Sequence, residues 1–260
     1  MSEQKSKLYQ DVIYGPYETL HFGKALGINI LGNSDKLCSF NCPYCYLGST
    51  TLRLNQIKKA DLYYEASFIA DKISEAFQEI HKNGPGIDAM VVSGNGEPTL
   101  HPDFGTIVQQ MIESRNQWMP GKPIIILSNG ARLDFRKTAD ILNLLDERVI
   151  KIDAGNNSKF LEMNAPLSRS NLSRILVGAK YLKDYIVQTM FVEGTVDNTS
   201  GDAIDDWIEL IAVLKPKQVL IQGMSRPGAI HGLVRCSEDK LFAIASRLER
   251  KTGLRALVTP

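Results

Sequence analysis

Short apolar runs alternate with amphipathic stretches along most of this chain. The runs are typical of buried strands and lie at residues 27–31, 88–92, 123–127, 149–153, 186–192 and 218–221. In the stretches between them apolar residues recur at spacings of three and four, as at Ile69, Ile73, Phe77 and Ile80, which is the period of an amphipathic helix. The pattern therefore predicts helices over residues 63–81, 104–114, 138–145, 171–182, 203–214 and 238–250.

The predicted strands are nearly continuous in apolar residues. Such strands are buried on both faces, as in a parallel sheet covered by helices. Six strand-helix units are too few to close an eight-stranded barrel, and their linear order fits an open barrel or a doubly wound sheet. No linker interrupts the run, so we expect a single domain over residues 28–260. Residues 1–27 are rich in glycine and tyrosine. This composition predicts a lead-in of irregular turns that packs on that domain.

The composition and net charge of the chain limit the kinds of partner that we expect. The 260 residues are 43% hydrophobic, which is enough apolar material for one sizeable core. Lysine and arginine number 30 against 29 acidic residues, for a net charge of +1, so no basic tail supports a nucleic-acid partner. Residues 1–7 are polar, and no apolar run approaches the roughly 18 residues that span a bilayer. We therefore expect a cytoplasmic protein without a membrane segment.

The cysteines are crowded into one short stretch. Three of the four, Cys38, Cys42 and Cys45, fall within eight positions. Asn41 and Pro43 between them disfavour a helix and favour a loop. Such a loop can wrap three thiolates around one inorganic centre and leave a coordination position open, as in catalytic metal sites.

The spacing C-x3-C-x2-C, with Tyr44 before the last cysteine, resembles the signature of the radical S-adenosylmethionine (SAM) superfamily. The resemblance implies an open partial TIM barrel, (βα)6, and a [4Fe-4S] cluster whose fourth iron is chelated by SAM. It also implies that Tyr44 lies at the cofactor. The implied activity is reductive cleavage of SAM to a 5′-deoxyadenosyl radical, which abstracts hydrogen from a small-molecule or protein substrate. An electron donor such as flavodoxin or ferredoxin is implied as a partner.

Polar residues collect at the predicted carboxyl ends of strands, where barrel enzymes keep their functional groups. The turn Gly94-Asn95-Gly96-Glu97-Pro98 resembles the Gly-Gly-Glu-Pro motif that binds the SAM ammonium, with Asn95 as a variant typical of the wyosine-enzyme-like (Fe-S oxidoreductase) subgroup. Ser128-Asn129-Gly130 resembles the Thr-Asn-Gly turn that lies beside SAM. Taken alone, either segment is an ordinary turn.

Later strands add further cofactor-binding candidates. Asp153 ends the fourth strand, where its carboxylate can accept hydrogen bonds from ribose hydroxyls or serve as a helix cap. Gln188 lies on the fifth strand, but alternation along the strand does not decide whether it faces the cavity. We expect both residues to be cofactor ligands.

Three residues are candidates for catalysis, each with a simpler structural interpretation. Arg226 at the sixth strand end can clamp a carboxylate or phosphate, or lie exposed in a Pro-Gly turn. Glu193 ends the fifth strand. His101 precedes a helix, and Pro102 and Asp103 there form a helix start signal.

Two other functions compete with the leading hypothesis. A radical SAM enzyme that modifies tRNA bases, of wyosine type, fits the motif style, although Leu20 and His21 stand where that subgroup has arginines. Cys236 alone also provides no second cluster. A non-enzymatic Fe-S or zinc-binding protein, with Cys236 or a histidine as fourth ligand, leaves the turn at residues 94–98 unexplained.

Overall fold

The sheet of this protein is curled, mostly parallel and flanked by helices. A computed structural model describes residues 8–57, 60–167 and 170–260; the predicted polar segment 1–7 lies outside them. The strands of the described chain are β1 (Ile13–Thr19), β2 (Gly23–Ile28), β3 (Ala89–Val92), β4 (Ile124–Ser128), β5 (Glu147–Lys151), β6 (Ile186–Gly194), β7 (Gln218–Gly223), β8 (Leu233–Arg235) and β9 (Ala256–Thr259).

The strand order follows the chain, which identifies the sheet as an open barrel. The neighbours run β1-β2-β3-β4-β5-β6-β7-β9, and every pair from β2 onward is parallel. A doubly wound sheet reverses its strand order at a switch point, and this sheet does not. The predicted partial TIM barrel of six strand-helix units is confirmed, and β9 adds a further parallel strand beside β7.

The helices occupy the connections between parallel strands. They are α1 (Leu54–Ile57), α2 (Ala66–Asn83), α3 (Phe104–Trp118), α4 (Arg136–Leu142), α5 (Asn157–Asn164), α6 (Leu172–Ala179), α7 (Gly201–Leu214) and α8 (Glu238–Thr252). In the described parts of the chain, none of these helices is long and apolar enough to cross a membrane. The sequence pattern predicted six of them within a few residues and missed the short helices α1 and α5.

Alternate strand residues build two separate apolar layers. On β3, Met90 and Val92 join the large core between sheet and helices, with Ile73 of α2 and Met111 of α3. The residues in between face the inside of the barrel, where the small buried cluster consists of Ala25, Ala89, Val91, Ile125, Val149, Ile186 and Leu220. The inner cluster forms an apolar floor below the carboxyl ends of the strands.

The prediction of irregular turns in the lead-in is wrong, because residues 13–28 form an antiparallel hairpin of β1 and β2. Glycines and Pro16 indicated turns, but an edge strand tolerates proline, and the register shifts between Tyr14 and Tyr17. The hairpin reaches the opposite edge of the sheet. His21 Nε2 lies 2.8 Å from the Thr259 hydroxyl of β9.

Candidate active site

Backbone hydrogen bonds fix the cysteine loop, residues 36–48, to three other segments. The Leu37 N–H donates to Asn95 O at 2.8 Å, and the Leu37 carbonyl accepts from Glu97 N at 2.9 Å. Farther along the loop, the Ser39 carbonyl accepts from Leu167 N at 2.9 Å, and the Pro43 carbonyl accepts from Ala229 N at 2.8 Å. The loop between the anchors is therefore held in one shape by chain ends of β3, α5 and β7.

The three predicted metal ligands lie on this loop as half-buried free thiols. Burial raises the pKa of Cys38 to about 12 and also raises the pKa of Cys42, so both thiols stay protonated until a metal replaces the proton. Within residues 8–57, 60–167 and 170–260, no group of three or more His, Cys, Asp or Glu side chains is arranged to hold a metal ion. Cysteine thiolates are the usual ligands of iron-sulfur clusters, and the predicted ligation by these three thiols stays a prediction.

Tyr44 and Asp153 form a buried network behind the loop. The Tyr44 hydroxyl donates to Asp153 Oδ2, and Asn164 Nδ2 donates to the same oxygen at 2.7 Å. Asp153 Oδ1 accepts from Met190 N at 2.8 Å and lies 3.4 Å from Lys151 Nζ. Burial, followed by the Asp153 charge, raises the pKa of Tyr44 well above its ordinary value, which keeps the hydroxyl a donor. Asp153 thus orients Tyr44, while its predicted ribose contact stays a prediction.

Glu97 is 2% exposed and connects the ends of β3 and β4. Its Oε1 accepts from the Thr99 and Ser128 hydroxyls at 2.6 and 2.8 Å and from Thr99 N at 3.2 Å. Its Oε2 accepts from Asn129 N at 2.6 Å. Burial raises the pKa of the Glu97 carboxyl, and these hydrogen bonds oppose that rise. The structure therefore brings the predicted residues Glu97, Ser128 and Asn129 together, with one Oε2 lone pair left for a ligand.

The glycine turn presses directly on the cysteine loop. Gly96 has φ +146, and a Cβ there would lie 1.8 Å from Leu37 O; a Cβ on Gly94, with φ +147, would lie 2.4 Å from Asn29 Oδ1. Asn95 is fully buried, and its side chain bonds the backbone of Tyr9 and Gly32. The turn is therefore shaped by close approach to the loop and lead-in, and its predicted contact with SAM stays a prediction.

A cavity of about 700 Å³ fills the barrel between the floor and the cysteine loop. Its lining comes from the hairpin, several strands and the loop: Tyr9, Tyr14, Gly15, Tyr17, Glu18, Thr19, Leu20, His21, Phe22, Tyr46, Val91, Ser93, Leu127, Gln188, Leu220, Gln222, Ser225, Arg226 and Thr259. Gln188 is 7% exposed, and its side-chain amide has no hydrogen-bond partner among the described residues. The strand thus places a buried, unpartnered amide at the cavity wall.

Tyrosines connect the cavity to the cysteine loop. Tyr9 stacks on Tyr14 with centroids 3.8 Å apart, and its hydroxyl lies 2.9 Å from the Tyr46 hydroxyl. The Tyr14 hydroxyl lies 2.7 Å from Ser93 Oγ. The guanidinium of Arg226, a predicted catalytic residue, lies 4.9 Å from the centre of the Tyr46 ring. Arg226 therefore lies at the cavity and packs on Tyr46, the residue that follows Cys45.

The other two catalytic candidates lie elsewhere. His101 Nε2 lies 3.0 Å from Tyr64 O and its Nδ1 accepts from Asp103 N at 3.0 Å, so both ring nitrogens have backbone partners outside the cavity. Glu193 forms an ion pair with Lys240 at 2.5 Å and is not a cavity residue. The structure does not bring either one to the cysteine loop.

Two residues of the site escaped the sequence analysis. Lys151 is the last residue of β5, and alternation along the predicted strand 149–153 places it on the same face as Asp153. Its ammonium lies 5.0 Å from the centre of the Tyr44 ring. Strand alternation in the sequence was therefore enough to place Lys151 beside Asp153. Asn164 ends α5, a short helix that buries only two apolar side chains, and nothing in the sequence indicated its contacts with the loop.

Comparison with known proteins gives one family and several distant relatives. The family model described as the Radical SAM superfamily matches residues 36–214. A UPF0026 protein of Synechocystis sp. is 27% identical over 221 residues, which are 83% of this chain and 76% of that protein. A Brachyspira hyodysenteriae protein named GTPase Obg is 26% identical over 230 residues, covering 86% of this chain, but this chain spans only 32% of its length.

Among solved structures, the fold is similar to a radical SAM methyltransferase from Sphaerobacter thermophilus. The TM-score is 0.68 at 14% identity, over 90% of this chain and 65% of that one. At this identity the likeness concerns the fold alone, and it agrees with the open barrel described above.

Proposed function

The chain belongs to the radical SAM superfamily, whose enzymes bind a [4Fe-4S] cluster and SAM, and on that premise we propose that it acts on a small molecule inside the barrel. In the proposed site Cys38, Cys42 and Cys45 hold the cluster. When bound, the cluster and SAM supply a carbon radical that removes a hydrogen atom from the substrate. The chain itself binds, orients and excludes water, because cofactors of this kind carry the chemistry.

The cavity carries this proposal. Its volume of about 700 Å³ falls within the range of small-molecule sites. Its lining combines apolar and aromatic side chains with several polar and charged ones, among them Gln188, Gln222 and Arg226. Such a site can hold a small ligand against the rings and fix its orientation by hydrogen bonds.

The hairpin supplies shelter from water. Tyr14 and Tyr17 of β1 line the cavity, and Tyr9 extends the stack to Tyr46. A substrate below the cysteine loop would therefore be covered by rings rather than by solvent. Arg226 can then meet a carboxylate or phosphate at the cavity mouth, where its guanidinium has no acidic partner among the described residues.

The test is anaerobic reconstitution of the cluster followed by addition of SAM and a strong reductant. We expect 5′-deoxyadenosine, and we expect its release to accelerate when the true substrate is present in a screen of small molecules. A fully loaded cluster that forms no 5′-deoxyadenosine would contradict the activity.

A single variant can distinguish substrate binding in the cavity from SAM cleavage. In this proposal Gln188 contacts the substrate rather than SAM, which differs from its expectation as a cofactor ligand. Gln188→Leu keeps the size of the side chain but removes its amide, so we expect a raised KM for the substrate with little change in uncoupled SAM cleavage. Gln109→Leu, on the exposed face of α3, is the matched control. Substrate kinetics equal to wild type in Gln188→Leu, or salt-dependent acceleration by tRNA alone, would contradict a small-molecule site in the barrel.

A further inference from the structure

Two buried side-chain amides point at cysteine sulfurs of the loop. Asn164 Nδ2 lies 3.5 Å from Cys42 Sγ, and Asn129 Nδ2 lies 3.7 Å from Cys38 Sγ. The two asparagines are 3% and 8% exposed. Each amide therefore meets a different thiol in surroundings that contain little water.

Neighbouring groups fix which atom of each amide faces the sulfur. Asn129 Oδ1 accepts from Ala131 N at 2.9 Å, so its NH₂ turns toward the cysteine loop, where it donates to Ser39 Oγ at 3.1 Å and faces Cys38 Sγ. Asn164 Nδ2 faces Asp153 Oδ2 at 2.7 Å, where a carbonyl oxygen would be repelled. The N–H groups are thus held toward sulfur by the chain itself.

Loss of the thiol proton makes the amides the relevant partners. The Cys42 thiol can donate to the backbone carbonyl of Asn164 at 3.7 Å. Metal binding requires the Cys42 thiolate, which has no proton and can only accept hydrogen bonds. The hydrogen bond from Cys42 to the Asn164 carbonyl is then lost. The side-chain N–H of Asn164 remains as a donor to the ligand sulfur.

We propose that Asn164 and Asn129 set the reduction potential of the cluster by donating hydrogen bonds to the thiolates of Cys42 and Cys38. Hydrogen bonds to the sulfurs are among the factors that set such potentials. Reduction adds negative charge to the cluster and its thiolates, so a donor stabilises the reduced form more and raises the potential. The effect of Asn164 is the larger one, because its contact is shorter.

In this role the two asparagines act through the thiolates and are positioning residues. The inference needs only the cluster of the family. It is independent of the substrate, so its failure and that of the proposed function are distinguishable.

The test is a redox titration of the reconstituted protein without SAM, followed by electron paramagnetic resonance. We expect a more negative midpoint potential in Asn164→Leu, a smaller shift in Asn129→Leu, and additive shifts in the double variant because the sulfurs differ. Asn198→Leu is the matched control, since Asn198 is equally buried but its side chain bonds Val192, Met190 and Asp153 backbone atoms. A wild-type midpoint in both fully loaded single variants would overturn the proposal.

A merely structural role would lower the iron content and leave the midpoint of the loaded fraction unchanged, which also overturns the proposal. If a variant takes up no cluster, a spectroscopic measurement on the wild-type protein tests the proposal instead. With asparagine side chains labelled by ¹⁵N, pulsed measurements on the reduced cluster should show a weak nitrogen coupling. Its absence would contradict hydrogen bonding to the ligand sulfurs.

Discussion

Replacement of Glu97 by alanine should destabilise the protein by about 3 to 5 kcal/mol. The carboxylate is buried and accepts hydrogen bonds from two backbone N–H groups, of Asn129 and Thr99, and from two hydroxyls. Hydroxyls can rotate to other partners, but the backbone donors cannot. Each buried donor left unpaired costs about 1–3 kcal/mol, and the loss of two such donors, with the emptied space, gives this sum.

One effect acts in the opposite direction. Burial raises the pKa of Glu97, which means that the folded protein bears a cost for the charged form, and alanine removes that cost. The net change therefore lies toward the lower end, about 3 kcal/mol. Glu97→Gln keeps an acceptor for Asn129 and lets the hydroxyls accept from its NH₂, but it leaves the Thr99 N–H, a long contact at 3.2 Å, without an acceptor, so we expect a loss of about 1–2 kcal/mol.

Urea denaturation of the cluster-free protein measures these differences. Glu113→Ala, at an exposed position of α3, is the control and should lie within about 0.5 kcal/mol of wild type. A loss below about 1 kcal/mol in Glu97→Ala would refute the hydrogen-bond reasoning. A large loss means that weak SAM binding in the alanine variant reports a damaged turn, and that Glu97→Gln is the informative variant for SAM affinity.

Three further predictions follow from single sites. Gly96→Ala should cost several kcal/mol because its Cβ meets Leu37 O, whereas Gly121→Ala, also at positive φ but with open space, should cost only about 1–2 kcal/mol in the same denaturation assay. Burial lowers the pKa of His101, so the stability contributed by the neutral ring is present above the ordinary value near 6.5 and is lost as pH falls below it; His101→Gln should flatten that loss. Bound SAM at about 100 times its Kd should raise the unfolding free energy of the loaded protein by about 2.7 kcal/mol, and a melting temperature independent of SAM would contradict binding.

The strand and helix pattern was recoverable from the sequence wherever a periodic core face exists. Helix α2 was predicted because Ile69, Ile73 and Phe77 are buried at helical spacing. Helix α5 was missed because it is short and buries only two apolar side chains, Phe160 and Met163. Strand β9, at Ala256–Thr259, was missed because its four residues, all half-buried, follow a long helix and carry no alternation. The hairpin was missed because glycine and proline were taken as turn signals.

The cysteine loop was recoverable from spacing alone, but the partners of its side chains were not. Tyr44 and Asp153 are 109 positions apart, and only the fold brings them into one hydrogen bond. Alternation gave the face of a strand residue, as for Lys151, yet it did not give what meets that face. The structure shows that Asp153, Asn129 and Asn95 all bond the loop or its supports. Substitutions at the strand ends are therefore expected to change the conformation of the cysteine loop as well as any ligand contact.

Under the proposed function, the inward positions of β6 set the depth that is available to a substrate. Ile186 belongs to the apolar floor, Gln188 lines the cavity, and Met190 packs beside Tyr44 of the cysteine loop. At about 3.3 Å per residue, the four residues from floor to loop span about 13 Å. A small molecule, or a single side chain inserted from a larger partner, fits within that depth. A longer ligand would have to extend past Arg226 at the mouth, so the length of accepted substrates should depend on the loop that carries this arginine.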